Sequence, residues 1–230
     1  MLTGKQFKRA FISGANNILN HRKDVDALNV FPVPDGDTGT NMSMTSSAAV
    51  RELQVVSDDE DLSIVAAKTA AALLRGARGN SGVILSLVFR GISNGFKGKK
   101  EVGGKDLAAA LTLGKESAYK AVMKPTEGTI LTVVRKAAAA AEALASDDCG
   151  AVLDEAYRAA QEALAETPEL LPVLKEAGVV DAGGQGFLYI LDGIRGYINE
   201  GKFIESNDDV SPAKSNAEES KSVVAAASGD

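Results

Sequence analysis

Two aspartates separated by one glycine mark the segment of this sequence best suited to chemistry. Asp35 and Asp37 follow a proline-rich approach, flank Gly36 and lead directly into Thr38–Met42. Carboxylate oxygens at this spacing suit a hard cation such as Mg²⁺. Gly36 lets the backbone turn sharply and come close to a ligand. A helix that begins at Thr38 would point the free backbone N–H groups of Thr38 to Asn41 at phosphate oxygens. The segment therefore suits a site where a metal ion and a phosphate group meet.

The same aspartates admit a purely structural interpretation. Asp35 and Asp37 would then only form an Asx turn and cap the next helix, and their spacing alone does not decide the matter. A calcium loop of the EF-hand type is disfavoured. Counted from Asp35, its required glycine and glutamate positions hold Thr40 and Ser46.

Three further segments rich in glycine or capping residues precede apolar stretches. They are Arg75–Gly82, Met123–Leu131 and Asp181–Gly186. Each is compatible with a simple turn between helices, and Thr126 and Thr129 are typical capping residues. Helix beginnings gathered at one end of a bundle would also form an anion site, because they carry partial positive charge. The P-loop, protein-kinase and dinucleotide-binding motifs do not occur.

The elements that must position these segments are helical, because apolar residues recur at helical spacing. In the first helix, for example, the inward face is Phe7, Ala10, Phe11, Ala15 and Ile18. The pattern predicts helices at about 4–21, 38–53, 58–74, 83–89, 104–122, 127–146, 150–166, 169–176 and 184–201. No convincing strand pair occurs, so the predicted fold is all-α with eight or nine helices.

Two of these helices carry more specific predictions. Asp58 is predicted to cap the helix at 58–74, and Pro172 to lie in the first turn of the helix at 169–176. The inward face predicted for the helix at 58–74 consists of Ile64, Ala67, Ala71 and Leu74.

Composition narrows the class of protein. The 230 residues are 45% hydrophobic, enough for one sizeable core or a domain with a tail. A net charge of −6 argues against a nucleic-acid partner. The start lacks a signal peptide, no stretch approaches the ~20 apolar residues of a membrane span, and Cys149 is the only cysteine. These features predict a cytoplasmic protein. From Ser206 the sequence is small and polar, which predicts a flexible tail or interdomain linker over 206–230.

Four blocks carry a family resemblance. They are LNVFPVPDGDTGTNM at 28–42, LLRGARGNSGVILS at 73–86, GKESAYKAVMKPTEGTILTVVR at 114–135 and DAGGQGF at 181–187. In this order they resemble the L subunit of bacterial dihydroxyacetone kinase and, more closely, the amino-terminal domain of fatty acid kinase. The resemblance implies an ATP-binding domain over 1–205, built as an up-and-down bundle of eight helices. It also implies that ATP or ADP lies at one end with two magnesium ions.

The resemblance implies specific roles for site residues. Asp35 and Asp37 would be the catalytic residues and would hold the metal ions, with Asn29 as the nearest match to a third ligand. The implied nucleotide contacts are Thr38, Gly39, Thr40, Asn41, Asn80, Ser81, Gly82, Thr129, Ile130, Asp181, Ala182 and Gly183. An arginine that the dihydroxyacetone kinase branch uses before the last block is absent, since 167–170 reads Thr-Pro-Glu-Leu.

The implied reaction is phosphoryl transfer from ATP to a fatty acid carboxylate, giving an acyl phosphate. A carboxylate, with a pKa of about 4–5, is already ionised at neutral pH and needs no general base. A reaction without a general base agrees with this sequence, because its only histidine, His21, is predicted at a surface or helix end. Arg75, Arg78 and Arg135 are candidates for steadying phosphate charge, with ordinary salt bridges as the alternative for each.

The implied partners are a carrier protein that presents the fatty acid and further domains of a longer chain, and a homodimer is also compatible. Two other functions fit the same sequence. One is a dihydroxyacetone kinase L subunit, which transfers phosphate to a hydroxyl group. The other is a non-catalytic nucleotide-sensing module. A purely structural helical bundle is the remaining alternative.

Overall fold

A computed structural model of the chain describes residues 1–208. Within that range the chain forms ten helices and one short strand pair. In chain order the elements are β1 (Leu2–Thr3), α1 (Gly4–Asn20), α2 (Arg22–Asp26), α3 (Thr38–Leu53), α4 (Leu62–Arg75), α5 (Gly79–Gly95), β2 (Glu101–Val102), α6 (Gly104–Ala121), α7 (Ile130–Leu144), α8 (Cys149–Leu170), α9 (Pro172–Ala177) and α10 (Ala182–Glu200).

The eight longer helices run alternately up and down. Helices α1, α4, α6 and α8 finish at the end of the bundle where α3, α5, α7 and α10 begin. Helix α1 packs against both α3 and α10, so the first helix contacts the last. The short helices α2 and α9 are connections. The all-α fold and the eight-helix up-and-down bundle are thus confirmed, and four helix beginnings are gathered at one end.

The core is built by the helix faces that the apolar spacing marks. The inward face predicted for α1, from Phe7 to Ile18, is buried throughout. Phe11 meets Phe89 of α5 edge to face, with ring centroids 5.1 Å apart. Burying such rings supplies much of the hydrophobic stabilisation, and the edge-to-face geometry adds a specific attraction.

Helix α5 is longer than the predicted 83–89 because its glycines serve packing rather than termination. A Cβ on Gly91 would lie 2.2 Å from the carbonyl oxygen of Leu113, and one on Gly95 would lie 2.7 Å from the Cβ of Ala110. The missing side chains let α5 lie directly against α6. Likewise α8 continues through Pro168 to Leu170. Pro172 occupies the first turn of α9, as predicted.

The segment before α4 differs from the prediction. Asp58 does not cap this helix, which begins later, at Leu62, with Asp61 in the capping position. Instead Asp58 forms ion pairs with Lys5 and Lys8 of α1, which lower the pKa of its carboxyl group. A capping aspartate and an ion-pairing aspartate look alike in sequence because both precede a helix.

The face of α4 that was predicted to point inward points outward. Ile64, Ala67, Ala71 and Leu74 are exposed, and the helix buries Leu62, Val65, Ala66, Thr69, Ala70, Ala72 and Leu73 instead. Helix α4 packs against α1, α3 and α5 through this second face. Apolar residues lie on both faces of the helix, so periodicity alone could not choose between them.

A short strand pair was also not expected. Leu2 pairs with Val102 and Thr3 with Glu101 in antiparallel register. Two residues are too few to produce the alternation that identifies a strand in sequence.

The described chain ends in a segment, Lys202–Asp208, that runs back along α1. The Ile204 N–H donates to Ser13 Oγ at 3.0 Å, and Asn16 Nδ2 donates to the Ile204 carbonyl at 2.8 Å. Asp208 pairs with Arg22. Of the predicted tail at 206–230, only the first three residues belong to this segment, and the rest lie outside the described residues. Among residues 1–208, no helix has the length and apolarity needed to cross a membrane.

Candidate functional site

Asn29 organises the loop that carries the aspartates. Its buried Oδ1 accepts hydrogen bonds from the backbone N–H groups of Asp37 and Thr38, each at 3.2 Å, and from Thr38 Oγ1 at 2.8 Å. Its Nδ2 donates to the carbonyl of Val33 at 2.9 Å. Asn29 therefore ties both arms of the loop to the start of α3. Its role as a third metal ligand stays a prediction, and that role would require this oxygen to release at least one donor.

A carboxylate that the sequence analysis missed caps α3. Asp26, the last residue of α2, accepts from the Thr40 N–H at 2.8 Å and from Thr40 Oγ1 at 2.7 Å. Capping partners normally lie two or three residues apart, whereas these two are fourteen apart. The N–H groups of Thr38 and Thr40, both predicted to contact phosphate, are thus already used within the protein.

Asp35 and Asp37 are brought to the polar part of the site with their carboxylates free. Gly36 between them has φ +68°, the left-handed conformation that favours glycine. Asp37 occupies the capping position of α3, yet its side chain caps nothing. Within residues 1–208, neither carboxylate has a hydrogen bond or an ion pair to the protein. Capping therefore does not account for their side chains.

The pocket beside these aspartates has a volume of about 170 Å³. It is lined by Asn29, Pro32, Val33, Asp35, Asp37, Thr38, Asn41, Gly79, Asn80 and Ser81. Two aspartates suit Mg²⁺, which usually takes one or two carboxylates and completes its shell with water and phosphate oxygens. Among residues 1–208, no group of three or more histidine, cysteine, aspartate or glutamate side chains is placed to hold a metal ion.

The start of α5 forms the wall of the polar pocket opposite the aspartates, and its backbone N–H groups are free to donate hydrogen bonds. Arg78 precedes the helix without a side-chain cap. In the described part of the chain, the N–H groups of Gly79, Asn80 and Ser81 have no hydrogen-bond acceptor. Gly79 lies so near α3 that a Cβ there would be 2.6 Å from Asn41 Nδ2. An uncapped helix beginning attracts anions. Helix α5 thus supplies three free amides, whereas at the start of α3 the N–H groups of Thr38, Thr40 and Asn41 are already bonded within the described chain.

A second, larger cleft of about 450 Å³ continues from the polar pocket. The two share Pro32, Thr38, Asn80 and Ser81. Its walls are mostly apolar, and the remaining lining residues are Phe31, Val83, Ile84, Leu87, Ala121, Val122, Lys124, Thr126, Thr129, Ile130, Leu131, Asp181 and Gly183. The apolar cleft suits the base of a nucleotide. The acidic pocket suits its phosphates together with a metal ion.

Asp181 closes one side of the cleft. Its Oδ2 accepts from the Gly184 N–H at 2.8 Å, and its own N–H donates to Thr167 Oγ1 at 3.1 Å. Burial raises the pKa of the Asp181 carboxyl to about 6, although backbone hydrogen bonds from Gly184 and Ile130 act to lower it. This one carboxyl group thus contacts the beginnings of both α7 and α10.

The loop between α6 and α7 is fastened by Glu127. Its carboxylate accepts from Thr132 Oγ1 at 2.6 Å, Arg135 at 2.8 Å and the Tyr119 hydroxyl at 3.2 Å. Burial raises the pKa of Glu127, but these hydrogen bonds outweigh that effect and the net pKa is lowered. The loop contributes Lys124, Thr126 and Thr129 to the cleft.

The remaining candidate side chains are three arginines and the histidine, none of which lines the polar pocket. Arg135 pairs with Glu127 and Arg75 with Glu52, which agrees with the salt-bridge alternative. Arg78 has no ion pair within residues 1–208. His21 ends α1, as predicted, and stacks on Tyr189 with ring centroids 4.2 Å apart.

The structure therefore places most of the predicted contacts together. Thr38, Asn80, Ser81, Thr129, Ile130, Asp181 and Gly183 line the larger cleft, while Asn29, Asp35, Asp37 and Asn41 line the polar pocket. Gly39, Thr40, Gly82 and Ala182 support these walls without lining either cavity. Gly82 packs on Thr45, and Gly39 on the carbonyl of Arg22.

Comparison with known proteins identifies the family. The DAK2 domain family matches residues 32–196, most of the chain. This chain belongs to the DAK2 domain family. Over 194 residues it is 50% identical to protein YloV of Bacillus subtilis and 46% identical to protein SH1689 of Staphylococcus haemolyticus, and each alignment covers 84% of this chain. Each alignment covers 35% of the relative, so this chain spans about a third of the length of these proteins.

Solved structures share the fold of this DAK2 domain. The dihydroxyacetone kinase of C. freundii, in complex with AMP-PNP and Mg²⁺, has a TM-score of 0.62 and 18% identity. That match covers 82% of this chain and 33% of the kinase. The native form of the same enzyme has a TM-score of 0.58 and 20% identity over the same share of this chain and 34% of the kinase.

Proposed function

We propose that this DAK2 domain binds Mg-ATP at the end of the bundle where α3, α5, α7 and α10 begin. The observation that carries the proposal is the pairing of two unengaged carboxylates with an uncapped helix. Asp35 and Asp37 face the beginning of α5 across the polar pocket, and the apolar cleft continues from it. The C. freundii kinase that shares the fold was solved with AMP-PNP and Mg²⁺, which supports the same class of ligand here.

The residues of each wall would then have distinct tasks. Asp35 and Asp37 would hold the metal ions, two in our proposal, and these would offset negative charge on the phosphate oxygens. The N–H groups of Gly79, Asn80 and Ser81 would hold phosphate oxygens. The slot formed by Val83, Ile84, Leu87, Val122, Ile130 and Leu131 would receive the base.

We further propose that the transferred phosphoryl group goes to a fatty acid carboxylate presented by a carrier protein. A carboxylate oxygen would form the new bond to the γ-phosphorus as the bond to the β–γ bridging oxygen breaks, leaving ADP. The acceptor is already ionised, so the chain's residues need only position it and exclude water. Because this chain spans about a third of its relatives, further domains of a longer protein would take part.

The acceptor is tested by direct phosphorylation assays of the full-length protein that contains this domain. A fatty acid loaded on a carrier protein and dihydroxyacetone are offered separately with Mg-ATP. Formation of an acyl phosphate with the first alone supports the fatty acid assignment. Transfer to dihydroxyacetone instead supports the rival assignment, and ATP binding without transfer to either supports a nucleotide-sensing module.

A further inference from the structure

Among residues 1–208, Lys124 is the only basic residue that lines either the polar pocket or the apolar cleft. The other ionisable residues of the two linings are acidic. They are Asp35 and Asp37 in the polar pocket and Asp181 in the cleft. A site of this composition repels an anionic ligand unless cations are present. Lys124 is therefore the one lining side chain that can offset anionic charge without a metal ion.

Lys124 has no partner in the described part of the chain that would keep it from a ligand. The loop at 122–129 contains one carboxylate, that of Glu127. This carboxylate already accepts from Arg135 at 2.8 Å and from two hydroxyl groups. Within residues 1–208, Lys124 forms neither a salt bridge nor a side-chain hydrogen bond. Its ammonium group is thus available to an anion in the cleft.

The loop that carries Lys124 is restrained on its carboxyl side. Pro125 disfavours helical backbone at Lys124, so α6 cannot continue through it. Further along, the Gly128 N–H donates to Thr132 Oγ1 at 2.9 Å, which fastens the loop to α7. The lysine therefore extends from a braced connection between two helices, and only its side chain has to be ordered when a ligand binds.

The proposed metal ions would not balance the phosphate charge by themselves. Two magnesium ions would be held by Asp35 and Asp37, and the two carboxylates together cancel the charge of one of these ions. The metal centre would therefore offset only part of the negative charge of a triphosphate. The free N–H groups of α5 stabilise anions as dipoles and carry no net charge. A cationic side chain would offset more of this charge.

The position of Lys124 indicates which part of the nucleotide it would meet. Lys124 lines the apolar cleft, which would receive the base, and does not line the polar pocket. The two cavities meet at Pro32, Thr38, Asn80 and Ser81. In the proposed function, the phosphate attached to the ribose would lie near this junction. The terminal phosphates would lie in the polar pocket with the metal ions.

We propose that Lys124 is a nucleotide-binding residue whose ammonium group pairs with the phosphate nearest the ribose. This assignment rests on the proposed function and deepens it, because it gives the loop between α6 and α7 a role in holding the nucleotide. Lys124 would supply the positive charge that the aspartates and the uncapped helix cannot supply. It would set nucleotide affinity without taking part in bond making.

The first test is calorimetric titration of the chain with ATP in the presence of Mg²⁺. Lys124→Met keeps most of the aliphatic stem and removes the charge, so the Kd is expected to rise about tenfold. Lys124→Arg keeps the charge and is expected to stay within about threefold of the wild type. Lys120→Met is the matched control. Lys120 is exposed in the last turn of α6 and lines neither cavity, so its Kd should not change.

The second test separates an ion pair from a packing contact. Salt screens charges near the surface, so the difference in Kd between the wild type and Lys124→Met should shrink as the ionic strength rises. A difference that salt does not change would assign the loss to the stem of the side chain and overturn the ion pair. The same difference is expected with ADP as with ATP, because both carry the phosphate next to the ribose. A loss for ATP alone would overturn the placement at this phosphate.

Failure of this assignment can be distinguished from failure of the proposed function. A wild type that binds no ATP in the presence of Mg²⁺ would overturn both. Binding that depends on Asp35 and Asp37, together with an unchanged Kd for Lys124→Met, would overturn the role of Lys124 alone. Circular dichroism checks that each variant is folded, and recovery of affinity in Lys124→Arg shows that the charge at this position is what matters.

Discussion

The carboxylate of Asp26 accepts two hydrogen bonds from Thr40, one from the Thr40 backbone N–H at 2.8 Å and one from the Thr40 hydroxyl at 2.7 Å. This contact joins the end of α2 to the first turn of α3, directly after the aspartates of the proposed metal site. A carboxylate at a helix beginning is favoured both by the hydrogen bonds and by the helix dipole. The position of Asp37 therefore depends on a residue that contacts no ligand in our account.

Removing this cap should weaken the domain. Asp26→Ala is expected to lower the free energy of unfolding by about 1–2 kcal/mol, the usual cost of losing a helix cap. Thr40→Val removes only the hydroxyl and should cost less than Asp26→Ala. Urea unfolding followed by circular dichroism measures both values. Equal stability of Asp26→Ala and the wild type would show that the contact does not hold α3.

Asn29 should stabilise the domain by holding the loop that carries the aspartates. Asn29→Ala leaves the N–H groups of Asp37 and Thr38 without their acceptor, so a loss of about 2–3 kcal/mol is expected. Asn29→Asp keeps the accepting oxygen but loses the donor to the Val33 carbonyl, so it should recover only part of that loss. If Asn29 is instead a third metal ligand, the aspartate variant should bind Mg²⁺ more tightly. Calorimetric titration of Mg²⁺ in the presence of ATP distinguishes the two roles.

Gly79 should be needed for more than its backbone conformation. Gly79→Ala places a Cβ at φ +61° and 2.6 Å from Asn41 Nδ2. Gly98→Ala is a matched control, because Gly98 has φ +75° and nothing within 4 Å of the added Cβ. Each variant should lose about 1 kcal/mol from backbone strain, and only Gly79→Ala should also lose nucleotide affinity. Equal nucleotide affinity in the two variants would remove α5 from the proposed phosphate site.

Asp181 should make stability depend on pH. Its pKa is raised from 3.8 to about 6 in the folded chain, so folding favours the protonated form. The stabilisation is fully present below about pH 4 and is lost as the pH rises through 6. At about 1.4 kcal/mol per pKa unit, the loss amounts to about 3 kcal/mol.

The corresponding measurement compares Asp181→Asn with the wild type across this pH range. The amide keeps an acceptor for Gly184 but does not ionise. The variant should therefore gain on the wild type in free energy of unfolding between about pH 4 and pH 7. Asp59→Asn, at an exposed position, should follow the wild-type curve. Parallel curves for Asp181→Asn and the wild type would contradict the buried, high-pKa carboxyl group.

Much of this architecture could be predicted from sequence because local signals determine it. Helical spacing identified every helix except the short α2, as well as the buried face of α1. The glycine-rich blocks marked the helix beginnings that meet at one end. The outward face of α4 could not be predicted, since both of its faces are apolar and only packing against α1, α3 and α5 distinguishes them.

Long-range partners were the other part that sequence could not supply. The contacts between Asp26 and Thr40, and between Asp58 and the two lysines of α1, join residues far apart in the chain. No spacing rule covers such pairs. Such contacts also favour α5 as the phosphate site, because three of the four predicted N–H donors of α3 are occupied, whereas those of Gly79, Asn80 and Ser81 are not.

If Asp35 and Asp37 hold a metal ion against a nucleotide, ATP binding measured by calorimetric titration should depend on Mg²⁺ and on both carboxylates. The wild-type chain should bind ATP when Mg²⁺ is present and lose that binding when EDTA is added. Asp35→Ala and Asp37→Ala should each abolish binding with helicity unchanged, while Asp59→Ala, an exposed aspartate elsewhere, should bind as the wild type does. Unchanged ATP affinity in both site variants would show that these two carboxylates hold no metal ion against the nucleotide.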